Sequence, residues 1–201
     1  MRNLLPLASA CLNRPAAPFV FASDAEGANN HDLGGYGIVG ASAPDHLCEE
    51  VLLTGHIKGR TVAKLNGDVS KHYSGEKELA RTVAVSRVLR SLLESRGLEW
   101  QPIAWGRWKH KEHIMLGEAR ATLELLERLA AFEQTRGFAV ACLVDNESWT
   151  AAVAKGRSPN FFVNLLLRRR AALLLAANVD LHLPWVDTAH QAADFLSRWR
   201  P

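Results

Sequence analysis

The chain has 201 residues, 48% of them hydrophobic and 22% charged, which suits one globular domain and excludes a disordered or fibrous chain. At this length folding buries roughly 70% of the unfolded surface, so a core needs neither disulfides nor a structural metal. A formal net charge of +3 permits a polyanionic partner without requiring one.

Cys11, Cys48 and Cys142 are odd in number and lack C-x-x-C spacing. That pattern argues against a disulfide framework or a zinc cluster and favours a reducing, intracellular setting, cytoplasmic or nuclear. The apolar stretch at residues 4–10 is too short for a secretion signal and is broken by Pro6. No apolar run reaches the ~20 residues of a membrane span, so a soluble protein with no membrane partner is expected.

In chain order, residues 18–23 form an apolar run ending in Asp24, followed by a polar loop over 25–30; this reads as a buried strand and a turn. Residues 34–40 suit a second strand. The stretch 55–73 is polar and basic, with Lys58, Arg60, Lys64, Lys71 and His72, and Asn66-Gly67-Asp68 as a hairpin turn. An amphipathic helix is expected over 76–95, stopped at Gly97. Together these make an inserted basic and helical segment over about 48–100 within one domain spanning 1–201.

A short strand follows at 102–108 and a long helix at 112–134, closing at Gly137. Residues 138–144 are apolar at every position, the habit of a parallel strand covered on both faces, and the run ends in Asp145. Helices are expected near 147–154 and over 161–177, then a strand at 179–186. A terminal helix begins after Thr188, whose hydroxyl can cap it. The layout is α/β, a mixed sheet with helices packed on it. Two of its buried strands each carry an aspartate to the edge where such sheets bind ligands.

On the long helix Arg120, Glu124, Glu127 and Arg128 share one polar face, while Glu118 falls in the apolar arc with Ile114, Leu125 and Leu129. A buried, ionised carboxylate needs a compensating partner. A salt bridge or an outward kink would supply it, and so would a metal ion. Asp24 and Asp145 have plain alternatives too, as Asx-turn or helix-capping residues. Taken together, three such carboxylates would repel one another unless a divalent cation lay between them. Oxygen-only ligands favour Mg²⁺ or Mn²⁺ over zinc.

Four segments, in order, resemble the ribonuclease H domain of retrotransposon reverse transcriptases. They are Ser23-Asp24-Ala25 with Gly35-Tyr36-Gly37, and His113-Ile114-Met115-Leu116-Gly117-Glu118-Ala119-Arg120-Ala121. Val144-Asp145-Asn146 is the third, and the fourth runs from Trp185 to Arg198 around Ala193-Asp194 and Ser197-Arg198. The resemblance covers roughly residues 17–199. It implies a ribonuclease H-like mixed sheet with helices on both faces, and a catalytic, metal-binding set of Asp24, Glu118, Asp145 and Asp194.

In that family pattern Asp24 would bridge two Mg²⁺ ions, with Mn²⁺ able to substitute. Asp194 would complete the site that activates water, and Glu118 and Asp145 would hold the ion at the leaving 3′ oxygen. The implied reaction is endonucleolytic cleavage of the RNA strand of an RNA–DNA hybrid, recognised through its minor groove and 2′-hydroxyls. A reverse transcriptase polymerase domain is the implied protein partner. Two departures stand in the closing segment, Gln191 for the family's asparagine and Ala192 for a frequent proline. His190 lies too near Asp194 to match the family's mobile histidine and is assigned no catalytic role.

Asn146, beside Asp145, and the Gly156-Arg157-Ser158 turn ahead of a helix are candidate nucleic-acid contacts, since helix N-termini attract anions. Arg168, Arg169 and Arg170 point in three directions round their helix and read as a solvated face. Two rival readings remain: another nuclease on the same fold, such as a resolvase or transposase core, and a non-catalytic tether that binds nucleic acid.

Overall fold

Two apolar strands lie side by side at the centre, and everything that forms the candidate site hangs from their ends. The computed structural model describes residues 14–29, 32–54, 89, 91, 93, 94 and 97–199. Its elements are β1 (Ala16–Glu26), β2 (Gly35–Ser42), α1 (Asp45–Thr54), β3 (Gln101–Arg107), α2 (Ile114–Ala131) and a 3-10 turn (Glu133–Thr135). Then come β4 (Ala139–Leu143), α3 (Glu147–Lys155), α4 (Phe161–Ala177), β5 (Asp180–His182), a second 3-10 turn (Thr188–His190) and α5 (Asp194–Ser197). Most of the segment 48–100, with the turn at Asn66 and the five basic residues named above, lies outside the described residues, as does Cys11. Its first residues do not stand apart from the fold: Cys48 and Val51 are buried in α1. No described helix is long and apolar enough to cross a membrane.

The strands form one mixed sheet in the order β3-β2-β1-β4-β5. The pairs β1–β2 and β2–β3 are antiparallel, whereas β1–β4 and β4–β5 are parallel. Alternation along the strands divides the core in two. Val20, Ala22, Val39, Ala141 and Leu143 meet Leu47, Cys48 and Val51 of α1 and Ala193 and Leu196 of the closing segment. Phe21, Ile38, Val140 and Cys142 point the other way, towards the leucines of α2, Trp149 of α3 and Val163, Leu166 and Leu167 of α4. This is the α/β mixed sheet, covered by helices on both faces, that the sequence predicts. Every residue of β4 is buried, as its unbroken apolarity requires.

The long helix starts at Ile114, two residues later than expected, because the His113 ring accepts the Met115 amide at 3.3 Å as a cap. It ends at Ala131, where Phe132 turns extended and the Thr135 hydroxyl donates to the Leu129 carbonyl at 2.8 Å. The polar face is as expected, with Arg128 on Glu124 at 2.9 Å and Arg120 on Glu112 at 2.6 Å. Glu118 is only 2% exposed.

Four local expectations are corrected. β1 runs on past Asp24 to Glu26, because Asp24, Ala25 and Glu26 pair with Gly37, Tyr36 and Gly35. The last strand shrinks to Asp180–His182 plus an isolated bridge between Val144 and Trp185, the residue after Pro184, which has no amide to donate. The terminal helix does not start at Thr188: a 3-10 turn there gives way to extended backbone at Gln191, and α5 covers only four residues, with Asp194 as its first. Of the three arginines, Arg168 is solvated and Arg169 pairs with Glu127, but Arg170 turns inward onto the Leu181 carbonyl.

The closing segment lies directly on the backbone of β2. A Cβ at Gly37 would stand 2.5 Å from the Leu196 Cβ, 2.6 Å from the Ser197 nitrogen and 2.8 Å from the Ala193 carbonyl. Gly37→Ala is therefore expected to push α5 off the sheet and destabilise the protein by about 3 kcal/mol, read as a lower urea midpoint. An unchanged midpoint would show that the segment yields without loss.

Candidate metal centre

Three carboxylates from three separate elements meet at the end of β1 and β4. Asp24 comes from β1, Asp145 follows the last residue pairs of β4, and Glu118 comes from the first turns of α2. One oxygen of each lies within 4.8 Å of the other two. Asp24 and Glu118 are buried and Asp145 is half-buried. They line a cavity of about 230 Å³, together with Asn146, Thr188, Asp194 and Arg198. Asp194 shares the cavity but is not one of the converging three; its carboxylate faces the Arg198 guanidinium at 2.7 Å.

Among the described residues, few donors reach these acids. The Ser197 hydroxyl donates to Asp24. The Ala25 amide donates to Glu118, the Thr188 hydroxyl to Asp145, and Arg198 to Asp194. One donor is too few for the buried Glu118 carboxylate, and among the described residues its other oxygen, Oε2, has no hydrogen-bond partner.

The electrostatics follow from this crowding. Burial, reinforced by Asp24 and Asp145, pushes the Glu118 carboxyl up to about 9. Burial also pushes Asp24 up to about 6, with Asp145 and Asp194 adding to it and the Ser197 hydroxyl opposing it. Asp145 is raised as well, again chiefly by burial, with Thr188 opposing. Like charges drawn together out of water hold their protons unless a cation takes the protons' place. The unpartnered Glu118 oxygen and the all-oxygen donor set fit a hard divalent cation, so the triad can hold a metal ion.

The remaining candidates sit differently. Asn146 lines the cavity, but its side chain already accepts the Trp149 amide at 2.9 Å as the cap of α3. Arg157 and Ser158 do not line it. Ser158 is folded onto its own turn, donating its amide to Asn164 at 2.9 Å and accepting from the Asn160 amide at 3.2 Å. At the start of α4, whose N-terminus is expected from the sequence to attract an anion, the Phe162 and Val163 amides are already occupied by the Asn160 side chain.

Gln191, which the sequence marks only as a departure from the family's asparagine, is buried and makes two strand contacts. Its Nε2 donates to the Ser23 carbonyl at 3.0 Å and lies 3.5 Å from the Leu143 carbonyl, tying together the two strands that carry Asp24 and Asp145. The signal was its place in the closing segment, where the resemblance expects an asparagine.

No protein-family model matches the chain. No curated protein matches it in sequence. Among solved structures, the crystal structure of LC11-RNase H1 in complex with RNA/DNA hybrid aligns at 14% identity with a TM-score of 0.44, over 89% of this chain and 92% of that one. An alignment that loose carries no residue role across.

Proposed function

We propose that the chain is a metal-dependent nuclease of the ribonuclease H type, which hydrolyses the RNA strand of RNA–DNA hybrids. The observation that carries the reading is the convergence of Asp24, Glu118 and Asp145, with one buried Glu118 oxygen left unpartnered among the described residues. A core does not gather three acids for its own stability; their repulsion is tolerated where a cation is to be held. The motif order of the sequence supports the retroelement type, and with it one domain over 1–201 and a reverse transcriptase polymerase domain as partner.

In this reading Asp24, Glu118, Asp145 and Asp194 hold two Mg²⁺ ions, with Mn²⁺ as a substitute. When bound, such ions acidify water and neutralise charge on the entering and leaving oxygens of a phosphodiester. The chain's own residues do the rest. Thr188 and the Ala25 amide orient Asp145 and Glu118, and Gln191 keeps the ends of β1 and β4 in register. Asn146, at the cavity wall, is a candidate contact to the nucleic acid. Arg157 and Ser158, outside the cavity, are candidates only for a more distant stretch of backbone.

A labelled hybrid incubated with the protein and Mg²⁺, Mn²⁺ or chelator tests the reading. The expected result is cleavage of the RNA strand with either ion and none in chelator. Cleavage surviving excess chelator would sink the mechanism, and equal cutting of double-stranded DNA would sink the substrate. Binding of the hybrid without cleavage under any ion would favour the tether.

A further inference from the structure

Ser197 sits where a small hydroxyl has two acceptors and only one proton. It is 1% exposed on α5, with its Oγ 3.0 Å from the carbonyl of Asp194 and in hydrogen-bonding contact with Oδ2 of Asp24. A helical serine ordinarily donates back to the carbonyl one turn earlier. Here a carboxylate competes for the same proton, and a charged acceptor makes the stronger bond.

The contact is built into the fold at some distance along the chain, since Ser197 and Asp24 are 173 residues apart. In the β1–β2 register Asp24 lies opposite Gly37. Gly37 is where α5 comes down, with the Ser197 nitrogen 2.6 Å from the position a Cβ would take, and the Ser197 carbonyl is 3.1 Å from that position at Gly35. The two glycines thus let the helix backbone touch the strand, and the serine side chain reaches the neighbouring aspartate. Among the described residues, no other side chain donates a hydrogen bond to Asp24.

We propose that Ser197 is a positioning residue: its hydroxyl, seated over the Asp24–Gly37 pair, fixes the Asp24 carboxylate in the orientation that faces Glu118 and Asp145. The inference rests on the nuclease reading of those acids. Ser197 touches no reacting atom; it acts through Asp24. Outer residues of this kind hold ligands in the geometry a cation needs, and removing one lowers metal affinity or activity by roughly 10–100-fold.

The test uses Ser197→Ala and Ser197→Thr in the full chain. Calorimetry with Mn²⁺ alone, without nucleic acid, is expected to show affinity reduced at least about tenfold in Ser197→Ala. On hybrid, kcat should fall by a similar factor while KM stays within about twofold, because substrate contacts are untouched. Ser197→Thr, which keeps the hydroxyl, should recover most of both losses. If it does not fold, the alanine variant decides alone, measured well below its melting temperature. A Ser197→Ala protein that melts lower but matches the parent in Mn²⁺ affinity and kcat overturns the inference and leaves the nuclease reading standing. A parent that neither binds Mn²⁺ nor cleaves hybrid overturns both.

Discussion

Glu118→Gln is expected to make the metal-free protein markedly more stable at pH 8 and to abolish hybrid cleavage. Burial and two neighbouring acids push the Glu118 carboxyl from its ordinary 4.5 up to about 9. Below pH 4.5 the group is protonated in both folded and unfolded chains, and its stabilising contribution is fully present. As the pH rises from 4.5 towards 9, the unfolded chain releases a proton that the folded chain must keep, so stability falls by roughly 1.4 kcal/mol per pH unit. By pH 8 the accumulated loss is on the order of 5 kcal/mol. Asp24, raised from 3.8 to about 6, adds a smaller loss of the same sign over its own window.

Glutamine has no proton to keep, and its amide can donate to the neighbouring carboxylates. Urea unfolding in chelator should therefore show the variant close to the parent at pH 5 and well above it at pH 8. A gap of equal size at the two pH values would mean that Glu118 is not held protonated. Mg²⁺ should narrow the gap by stabilising the ionised parent through mass action. Cleavage by the variant should fall at least about a hundredfold, since a ligand lost from a metal site weakens the transition state directly.

Asp194→Asn is expected to fold as the parent does and to lose at least about a hundredfold in kcat. The aspartate has a modest structural role: it is the first residue of α5, and its ion pair with Arg198 at 2.7 Å is substantially exposed. Such a pair contributes about 0.3–0.5 kcal/mol, and the helix dipole a few tenths more. Asparagine keeps the shape and part of the hydrogen bonding, so the urea midpoint should barely move. The functional consequence should be far larger, because Asp194 lines the same cavity as the three converging acids. To serve a cation it must exchange one positive partner, Arg198, for another. Mn²⁺ binding at Asp24, Glu118 and Asp145 should survive in the variant. A variant that keeps more than a tenth of parental activity would take Asp194 out of the site.

Much of this arrangement is legible in the residues themselves. Asp24 and Asp145 stand out because each closes an apolar run, and Glu118 because it interrupts a leucine face at helical spacing. Those signals are local and periodic, which is the kind of information a linear sequence carries well. The donors are harder to read. Thr188 looks like a helix cap, yet its hydroxyl reaches Asp145; Gln191 looks like part of a terminal helix, yet its amide bridges β1 and β4. A short polar side chain has similar local alternatives wherever it stands, and only the tertiary fold selects its acceptor. The strand bounds miss for a related reason, since β1 extends to Glu26 because β2 pairs with it there. Arg170 differs from Arg168 and Arg169 by one or two steps round a helix, and the packing of α4 decided which of them turned inward.

The long spans that the cavity brings together also set the order in which it can form. Ser23 and Cys142 touch across 119 residues of chain, and Gln191 reaches Ser23 across 168. The entropy of closing such loops grows slowly with length, but the search for contacts so remote in sequence is slow. The β1–β2 hairpin and α2 rest on near neighbours and can form early; the meeting of β1 with β4 and the docking of residues 191–197 cannot. In the unfolded chain each acid is a solvated carboxylate, and the cavity exists only once those contacts close. A chain lacking those contacts would lack the pocket, so if the acids hold Mn²⁺ as proposed, the heat of its binding would gauge the most non-local contacts of the fold.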